Sequence, residues 1–593
     1  MKRITIILWA IMAVVGTSVS AQTVWYDPMQ AGDEPYVEGR AWNKEIGKAN
    51  YSRLPDRFEG KVSKHVWTLS KHTAGMSVRF FTTAKRIKVR FINVNAGKNY
   101  PNVVSLNHSG VDLYATDVEG NTTWVPNMMK YTFSVNGSDT AQFVYDTHEM
   151  PVFKRQGMYY ELYLPSYNGI KWLSVGVDKN ERFEFIRGSQ ERPIVVYGTS
   201  IAHGASASRP GLIWTTLLKR RYDIPFINLG FSGSAKMENI MYDALSEIEA
   251  RAYIIDCIPN CEGLDNKEFA SRVEYGIRKL REKSGAPIIF MEGNAIAGSS
   301  THLHRNYYEQ HEKDSIQYEV YMRMKALGFK NMYYITHEQL GFTAEDLIEG
   351  THPNDVGMHK YAAAYAKVLD PLLIGSDTMK CFTPCIQHRD GSYEWMTRHN
   401  EILALNHTIQ PEILMIGNSI THFWGGEPQS RCNGGKTWQQ LFGKHRVVNM
   451  GMGWDRVENV YWRLSHGELE GCRPSQICLL IGINNRADSD ERIVSGICDI
   501  VALIRKRQPQ ARLHVVEIYP CKGSEERVRA INTLLRSKLP LDDMTDIQDV
   551  SSALILDDGS GRIDPTCFVE GLHPNEKGYG RLARLYRKFL FGK

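Results

Sequence analysis

The sequence predicts a multidomain chain: an antiparallel, jelly-roll-like β-sandwich followed by two α/β domains built on parallel sheets. Three observations carry this. Residues 22 to about 185 alternate polar and apolar in short runs. From Arg192-Pro193 onward the strands are apolar throughout and are separated by helical patterns. That second pattern then occurs twice. A length of 593 residues also exceeds what one hydrophobic core supports.

In chain order, residues 1–21 read as a signal peptide. Lys2-Arg3 form a basic start, Ile4–Val15 an apolar stretch, and Val19-Ser20-Ala21 a small-residue cleavage site. The expectation is a protein secreted to the periplasm or beyond after cleavage near Ala21. The formal net charge is +5, and loss of Lys2 and Arg3 leaves +3, which speaks against a nucleic-acid-binding surface. No later stretch reaches about 18 apolar residues, so no stable membrane insertion is expected. Ten cysteines without C-x-x-C pairs make neither a disulfide scaffold nor a zinc motif. Cys257/Cys261 and Cys381/Cys385 are spaced for local bridges, but buried free thiols are the favoured reading.

The sandwich is assigned to 22–188. In "RIKVRFI", Ile87, Val89 and Phe91 share one face while Lys88 and Arg90 share the other. "YTFSVNG", "AQFVYD", "YYELYLP" and "KWLSVGV" behave alike, with Gly, Asn, Asp and Pro between them. Tyr159, Tyr160 and Tyr163 are expected in the core rather than on a sugar-binding platform. The first α/β domain is assigned to 189–375. Its runs "PIVVYG", "PFINLG", "AYIIDCI" and "APIIFMEG" are strands buried on both faces, separated by helices such as "EFASRVEYGIRKLREKSG". Residues 376–410 form a connector expected to be ordered, because they are neither low-complexity nor Gly/Ser-rich. The pattern restarts at Pro411 and defines the second α/β domain, 411–593.

The halves match block by block. "YGTSIAHG" aligns with "IGNSITHF", placing Ser200 on Ser419 at an offset of 219. "NLGFSG" aligns with "NMGMGW", placing Asn228 on Asn449 at 221. "CIPN" aligns with "IGIN", placing Asn260 on Asn484 at 224, and "EGTHPN" aligns with "EGLHPN", placing His352 on His573 at 221. Four blocks in the same order at nearly constant offset indicate a duplicated domain.

The blocks imply chemistry. Each Ser follows an apolar strand in a G-x-S turn, at the carboxyl edge where open α/β sheets bind ligands. Each His sits in a loop that enters a terminal amphipathic helix, with Glu349 or Glu570 three residues before it. A carboxylate at that spacing can reach the imidazole and fix its tautomer, leaving the other ring nitrogen for a serine hydroxyl. Acyl transfer also needs donors for an oxyanion. The natural sets are Ser200 N–H, Gly233 N–H and the Asn260 amide, then Ser419 N–H, Trp454 N–H and the Asn484 amide. "ASRPG" after the first nucleophile makes Arg209 a possible substrate contact. "HLHRNYYEQHE" supplies His302, His304 and His311, but without a matching acidic or Cys cluster no metal and no cofactor is expected.

With these blocks, residues 191–374 and 411–590 resemble SGNH (GDSL-type) hydrolases, whose four blocks contribute Ser, Gly, Asn and His. "GNS", "GINN" and "EGLHPN" carry the likeness in the second half, and "NMGMGWDRVENVYWRLSHGELEG" is similar to platelet-activating-factor acetylhydrolase α-subunits. The first half resembles a branch that carries a β-sandwich with a G-x-D-L-Y signature, which stands here as "GVDLY" at 110–114. The resemblance implies a flavodoxin-like three-layer fold and metal-free ester hydrolysis, with an acetylated carbohydrate as expected substrate. The sequence departs from the family pattern at Thr199 and Asn418 (usually Asp), Ile258 (usually Gly), Trp454 (usually Gly), and Glu349 and Glu570 (usually Asp). Two alternatives stay open: one half is a non-catalytic binding or scaffold module, or the substrate is a phospholipid or acyl-lipid.

Overall fold

A computed structural model describes residues 22–95, 100–116, 122–132, 139–147, 158–189, 191–294, 305–373, 395–429 and 431–592. The expected signal peptide, the connector up to residue 394 with Cys381 and Cys385, and His302 and His304 lie outside the described residues.

Among the described residues the N-terminal region has ten strands: β1 (Thr23–Tyr26), β2 (Ser77–Thr82), β3 (Arg86–Asn93), β4 (Asp112–Thr116), β5 (Thr122–Val125), β6 (Tyr131–Thr132), β7 (Ala141–Asp146), β8 (Met158–Tyr163), β9 (Ile170–Asp178) and β10 (Phe183–Phe185). They pair antiparallel into two sheets, β1-β9-β3-β7-β6 and β10-β2-β8-β4-β5. Ile87, Val89 and Phe91 of the first sheet share one apolar core with Val78, Phe80, Leu113 and Leu162 of the second. The period-two pattern therefore sets which residues enter that core.

Among the described residues each later half carries a five-stranded parallel sheet. The first comprises β11 (Ile194–Gly198), β12 (Phe226–Gly230), β13 (Ala252–Asp256), β14 (Ile288–Met291) and β15 (Met332–Ile335), in the order β12-β11-β13-β14-β15. The second comprises β16 (Ile413–Gly417), β17 (Val447–Gly451), β18 (Gln476–Leu480), β19 (Arg512–Val516) and β20 (Thr545–Gln548), in the equivalent order β17-β16-β18-β19-β20. Both strand faces are covered. Val195 and Tyr197 of β11 enter one core with helix Asn266–Lys283, while Ile194 and Val196 enter another with helices Trp214–Tyr222 and Asp355–Leu373. Leu414 and Ile416 of β16 likewise separate from Ile413 and Met415. Burial on both faces is why these strands read as unbroken apolar runs.

The N-terminal region packs on both halves. Leu54, Phe58, Val62 and Val66 belong to the first half's core, and Phe81, Tyr159 and Ile186 to the second half's. All three tyrosines singled out from the sequence are buried, but only Tyr160 enters the core between the two sheets. Tyr159 meets Trp462 edge-on at 6.3 Å, and Tyr163 lies beside Lys219 and Arg220.

The two halves are held from upstream in the same way. Arg53 Nη1 donates to the carbonyls of Asn228 (3.0 Å) and Gly230 (2.8 Å) at the end of β12. Arg398, in helix Trp395–Ile409, donates from Nη2 to Asn449 O and from Nε to Gly451 O, both at 2.9 Å, at the end of β17. These are equivalent positions in the repeat. Cys257 and Cys261 are free and buried, so the spacing that allowed a bridge serves packing instead. Among the described residues no helix is long and apolar enough to cross a membrane.

Candidate active sites

Each nucleophile candidate opens a four-residue helix after the first strand of its half, Ser200–His203 after β11 and Ser419–His422 after β16. Thr199 Oγ1 accepts from Ile201 N at 3.3 Å, and Asn418 Oδ1 accepts from Ile420 N at 2.9 Å. The two residues that replace the family's Asp thus act as N-caps. The short helix lies so close to the next strand that a Cβ on Gly230 or Gly451 would collide with the backbone N of His203 or His422.

Ser200 Oγ donates to His352 Nε2 over 2.7 Å, and Ser419 Oγ to His573 Nε2 over 2.9 Å. On the far side of each ring, Glu349 Oε1 contacts His352 Nδ1 and Glu570 Oε1 contacts His573 Nδ1. The loop bends back so that the i, i+3 carboxylate faces its own histidine. A narrow antiparallel bridge closes each loop, Leu347 with Pro353 and Phe568 with Pro574. An Nδ1–H aimed at the carboxylate leaves the Nε2 lone pair for the serine proton. Both serines are buried, whereas Glu349 and Glu570 are half-exposed.

The oxyanion candidates follow the strand ends. Gly233 has φ +65° with open space where a Cβ would project. Trp454 holds the same left-handed conformation at φ +64°, with its side chain 49% exposed. A bulky residue in that region is uncommon and costs about 1 kcal/mol or more, so the second half keeps the backbone geometry at the expense of strain. Asn260 Nδ2 donates to Phe231 O at 3.3 Å and Asn484 Nδ2 to Asp455 O at 2.9 Å. Each amide retains a second N–H.

Arg209 is held by the N-terminal region. Its Nε pairs with Asp112 Oδ2 at 3.1 Å, its Nη2 donates to the Tyr114 hydroxyl, and its guanidinium lies 4.3 Å over Trp124. Asp112 and Tyr114 belong to "GVDLY", and Asp112 Oδ2 also accepts from Gly211 N at 3.0 Å. The signature docks strand β4 on the loop after the first nucleophile, and Arg209 closes that joint. Burial pushes the Asp112 carboxyl up to about 6 despite Arg209.

Sequence reasoning missed the N-terminal region's share in the first site. Asn102 Nδ2 lies 3.1 Å from His352 Nδ1, and Asn102 O accepts from Ser206 Oγ. The Tyr167 hydroxyl donates to Ser200 O at 3.3 Å while its ring stacks on His203 at 4.2 Å. Nothing local marks Asn102; only the fold brings it across 250 residues. In the second half, Phe423 flanks His573 at 5.1 Å and has the Arg431 guanidinium over its ring at 5.2 Å. His203 and His422, the last residues of the nucleophile helices, stay neutral: burial and nearby arginines hold His203 well below its ordinary value and His422 down to about 2.

Comparisons with known proteins agree with this geometry. Residues 191–370 and 415–581 each match a model of the GDSL-like lipase/acylhydrolase family, and 23–183 match the N-terminal domain of SGNH-hydrolase-type esterases. The α1 subunit of platelet-activating factor acetylhydrolase IB from Pongo abelii is 30% identical over 210 residues, 35% of this chain and 86% of that protein. The α2 subunit from Rattus norvegicus is 29% identical over 198 residues, 33% of this chain and 82% of that protein. A protein from Bacteroides ovatus assigned as a GDSL-like lipase superposes with a TM-score of 0.52 at 27% identity, covering 59% of this chain and 98% of that one. The chain is therefore an ester hydrolase that belongs to the GDSL-like lipase/acylhydrolase family and carries two copies of its hydrolase domain.

Proposed function

We propose that both halves are catalytic and that the chain is an exported, two-headed serine esterase removing acetyl or other short acyl groups from carbohydrate esters. The observation that carries this reading is the Ser–His–Glu contact chain, present twice with serine-to-histidine distances of 2.7 and 2.9 Å. Ser200 and Ser419 attack the ester carbonyl while His352 and His573 take the hydroxyl proton at Nε2. The same histidines return that proton to the leaving alcohol, then activate the water that hydrolyses the acyl-serine. Glu349 and Glu570 hold the rings and offset the imidazolium charge. The N–H groups of Ser200 and Gly233 with the Asn260 amide, and those of Ser419 and Trp454 with the Asn484 amide, receive the oxyanion.

Acetyl as the acyl group is supported by the acetylhydrolase relatives, and export by the basic-then-apolar leader. The carbohydrate rests on the likeness to secreted members of the family. We read the two antiparallel sheets over one core as the expected sandwich and each helix-covered parallel sheet as a flavodoxin-like three-layer unit, with boundaries near 188, 375 and 410.

Ser200→Ala, Ser419→Ala and the double variant test the reading on p-nitrophenyl acetate and acetylated xylan. Each single variant is expected to retain turnover and the double variant to lose it; turnover untouched by the double substitution would sink the proposal. The relatives' name favours a second reading, an acetylated lipid, which preference for acetylated phospholipid over xylan would establish.

A further inference from the structure

The first half carries a second cluster of reactive side chains that the ester chemistry does not use. His311 and Asp314 lie one turn apart on helix Arg305–Ala326, on one face. His337 follows β15, and Glu292 follows β14. The two histidines face each other, with Nε2 to Nε2 at 3.1 Å.

Their remaining contacts assign the protons. His337 Nδ1 lies 2.9 Å from Glu292 Oε2, and His311 Nδ1 lies 2.8 Å from the Tyr307 carbonyl oxygen. Both partners only accept, so both Nδ1 atoms carry hydrogen. The two Nε2 atoms then face one another, and bare lone pairs there repel unless a proton or a metal cation lies between them. Asp314 adds a third donor. Its residue is 5% exposed, Oδ1 accepts from Gly293 N at 2.7 Å, and Oδ2 is buried with no hydrogen-bond partner among the described residues. The ligand atoms of His311, Asp314 and His337 all lie within 4.8 Å of one another.

We propose that His311 Nε2, His337 Nε2 and the Asp314 carboxylate bind a divalent transition-metal ion of the zinc class. A shared proton would satisfy the two rings but would leave Asp314 Oδ2 without a partner; a metal satisfies all three. Tetrahedral zinc with Zn–N bonds of about 2.0–2.1 Å sets its ligands about 3.3 Å apart, close to the spacing found between the rings. The Nδ1–H contacts to a carboxylate and a carbonyl are the outer interactions that orient metal-binding histidines. Glu338 Oε1 also lies 3.3 Å from His337 Nε2.

The ion would tie helix Arg305–Ala326 to the carboxyl edge of the sheet. Asn294, two residues after Glu292, donates to Thr351 O beside His352, so the bracing extends to the loop that carries the histidine.

The full-length chain, stripped by chelator and titrated with Co²⁺, tests the site. One equivalent is expected to give tetrahedral ligand-field bands, and Zn²⁺ to displace it and raise the melting temperature. Asp314→Asn and His311→Gln are expected to weaken Co²⁺ binding about 100-fold or more. Glu292→Gln, which keeps the shape of the contact to His337, is expected to weaken it about 10–100-fold. His445→Ala, a histidine on the second half's surface, leaves binding unchanged. Circular dichroism separates lost binding from lost fold. Wild-type protein that takes up no Co²⁺ at micromolar free metal, or folded Asp314→Asn and Glu292→Gln proteins that bind as the wild type does, would overturn the proposal in favour of a shared proton.

Discussion

At the scale of single residues, the side chain that departs from the family pattern is the informative one. A glutamate three residues before the histidine has one methylene more than the usual aspartate, and the loop accommodates it, with Oε1 of both Glu349 and Glu570 against Nδ1. Shortening it therefore removes the contact. Glu349→Asp and Glu570→Asp are each expected to lower kcat of their own site by about 10–100-fold, because misplacement near 1 Å costs about that much. Steady-state rates in the Ser419→Ala and Ser200→Ala backgrounds read each site alone, and an unchanged kcat would remove the carboxylate from the mechanism. Asn102 makes a different demand. A protonated Nδ1 cannot accept from an amide N–H, so the Asn102 side chain faces His352 through its oxygen, the flipped assignment of the amide. Asn102→Ala is then expected to lower first-site kcat about 10-fold with KM nearly unchanged, and to leave the second site untouched.

Among elements, the repeated clamp on β12 and β17 decides how the halves are held. Arg398 supplies three buried carbonyls, Gly451, Asn449 and Pro428, each at 2.9 Å. Arg398→Met keeps most of the length but no donors. Leaving those acceptors unpaired costs about 1–3 kcal/mol each, so the urea midpoint of the second half is expected to fall by a margin equivalent to about 3 kcal/mol or more, with second-site activity lost before first-site activity. The sequence made much of this scale legible. Strand β3 could be read because its burial alternates with period two, and the parallel strands because both faces are buried. The four blocks could be aligned because duplication preserved the carboxyl-edge residues together. Arg53 and Arg398 could not be read. Arg53 meets its strand across 175 residues, and neither arginine sits in a pattern that distinguishes it from a surface charge. The contacts of Arg209 were hidden for the converse reason: its place beside the nucleophile turn in sequence is also a place beside Asp112 in space.

Across the whole molecule, the three parts meet at one buried ionic cluster. Arg79 Nε lies 2.8 Å from Glu38 and Nη1 lies 2.8 Å from Asp223 and 3.3 Å from His466 Nε2, while Lys219 contacts Glu38 and Glu161. Strands β2 and β8 thus supply Arg79 and Glu161, the first half Lys219 and Asp223, and the second half His466. The signs of the shifts give the junction a defined response to acid. Burial would raise Glu161, but Lys219 and Arg79 outweigh it and hold the carboxyl well below the usual range. Burial, with Arg79, keeps His466 neutral far below its ordinary value. Burial raises Asp223 to about 6 against the pull of Arg79. Groups with depressed values contribute stability above their unfolded pKa that is lost as pH falls; a raised carboxyl acts oppositely between its two values. Near pH 5 the unfolded chain holds a proton on His466 that the folded chain lacks, and the folded chain holds one on Asp223 that the unfolded chain lacks, so the two offset. Near pH 3.5 the unfolded chain has also protonated Asp223 and Glu161, leaving it about 1.6 protons ahead and stability falling by about 2 kcal/mol per pH unit from this cluster. Melting temperature is therefore expected to be nearly flat from pH 6 to 5 and to drop steeply below 4. Glu161→Gln removes one of the protons responsible: the variant should melt lower at pH 7, where it breaks the buried pair with Lys219, yet lose fewer degrees between pH 5 and 3.5 than the wild type. Parallel acid limbs for the two proteins, followed by calorimetry, would show that the junction does not set the acid response.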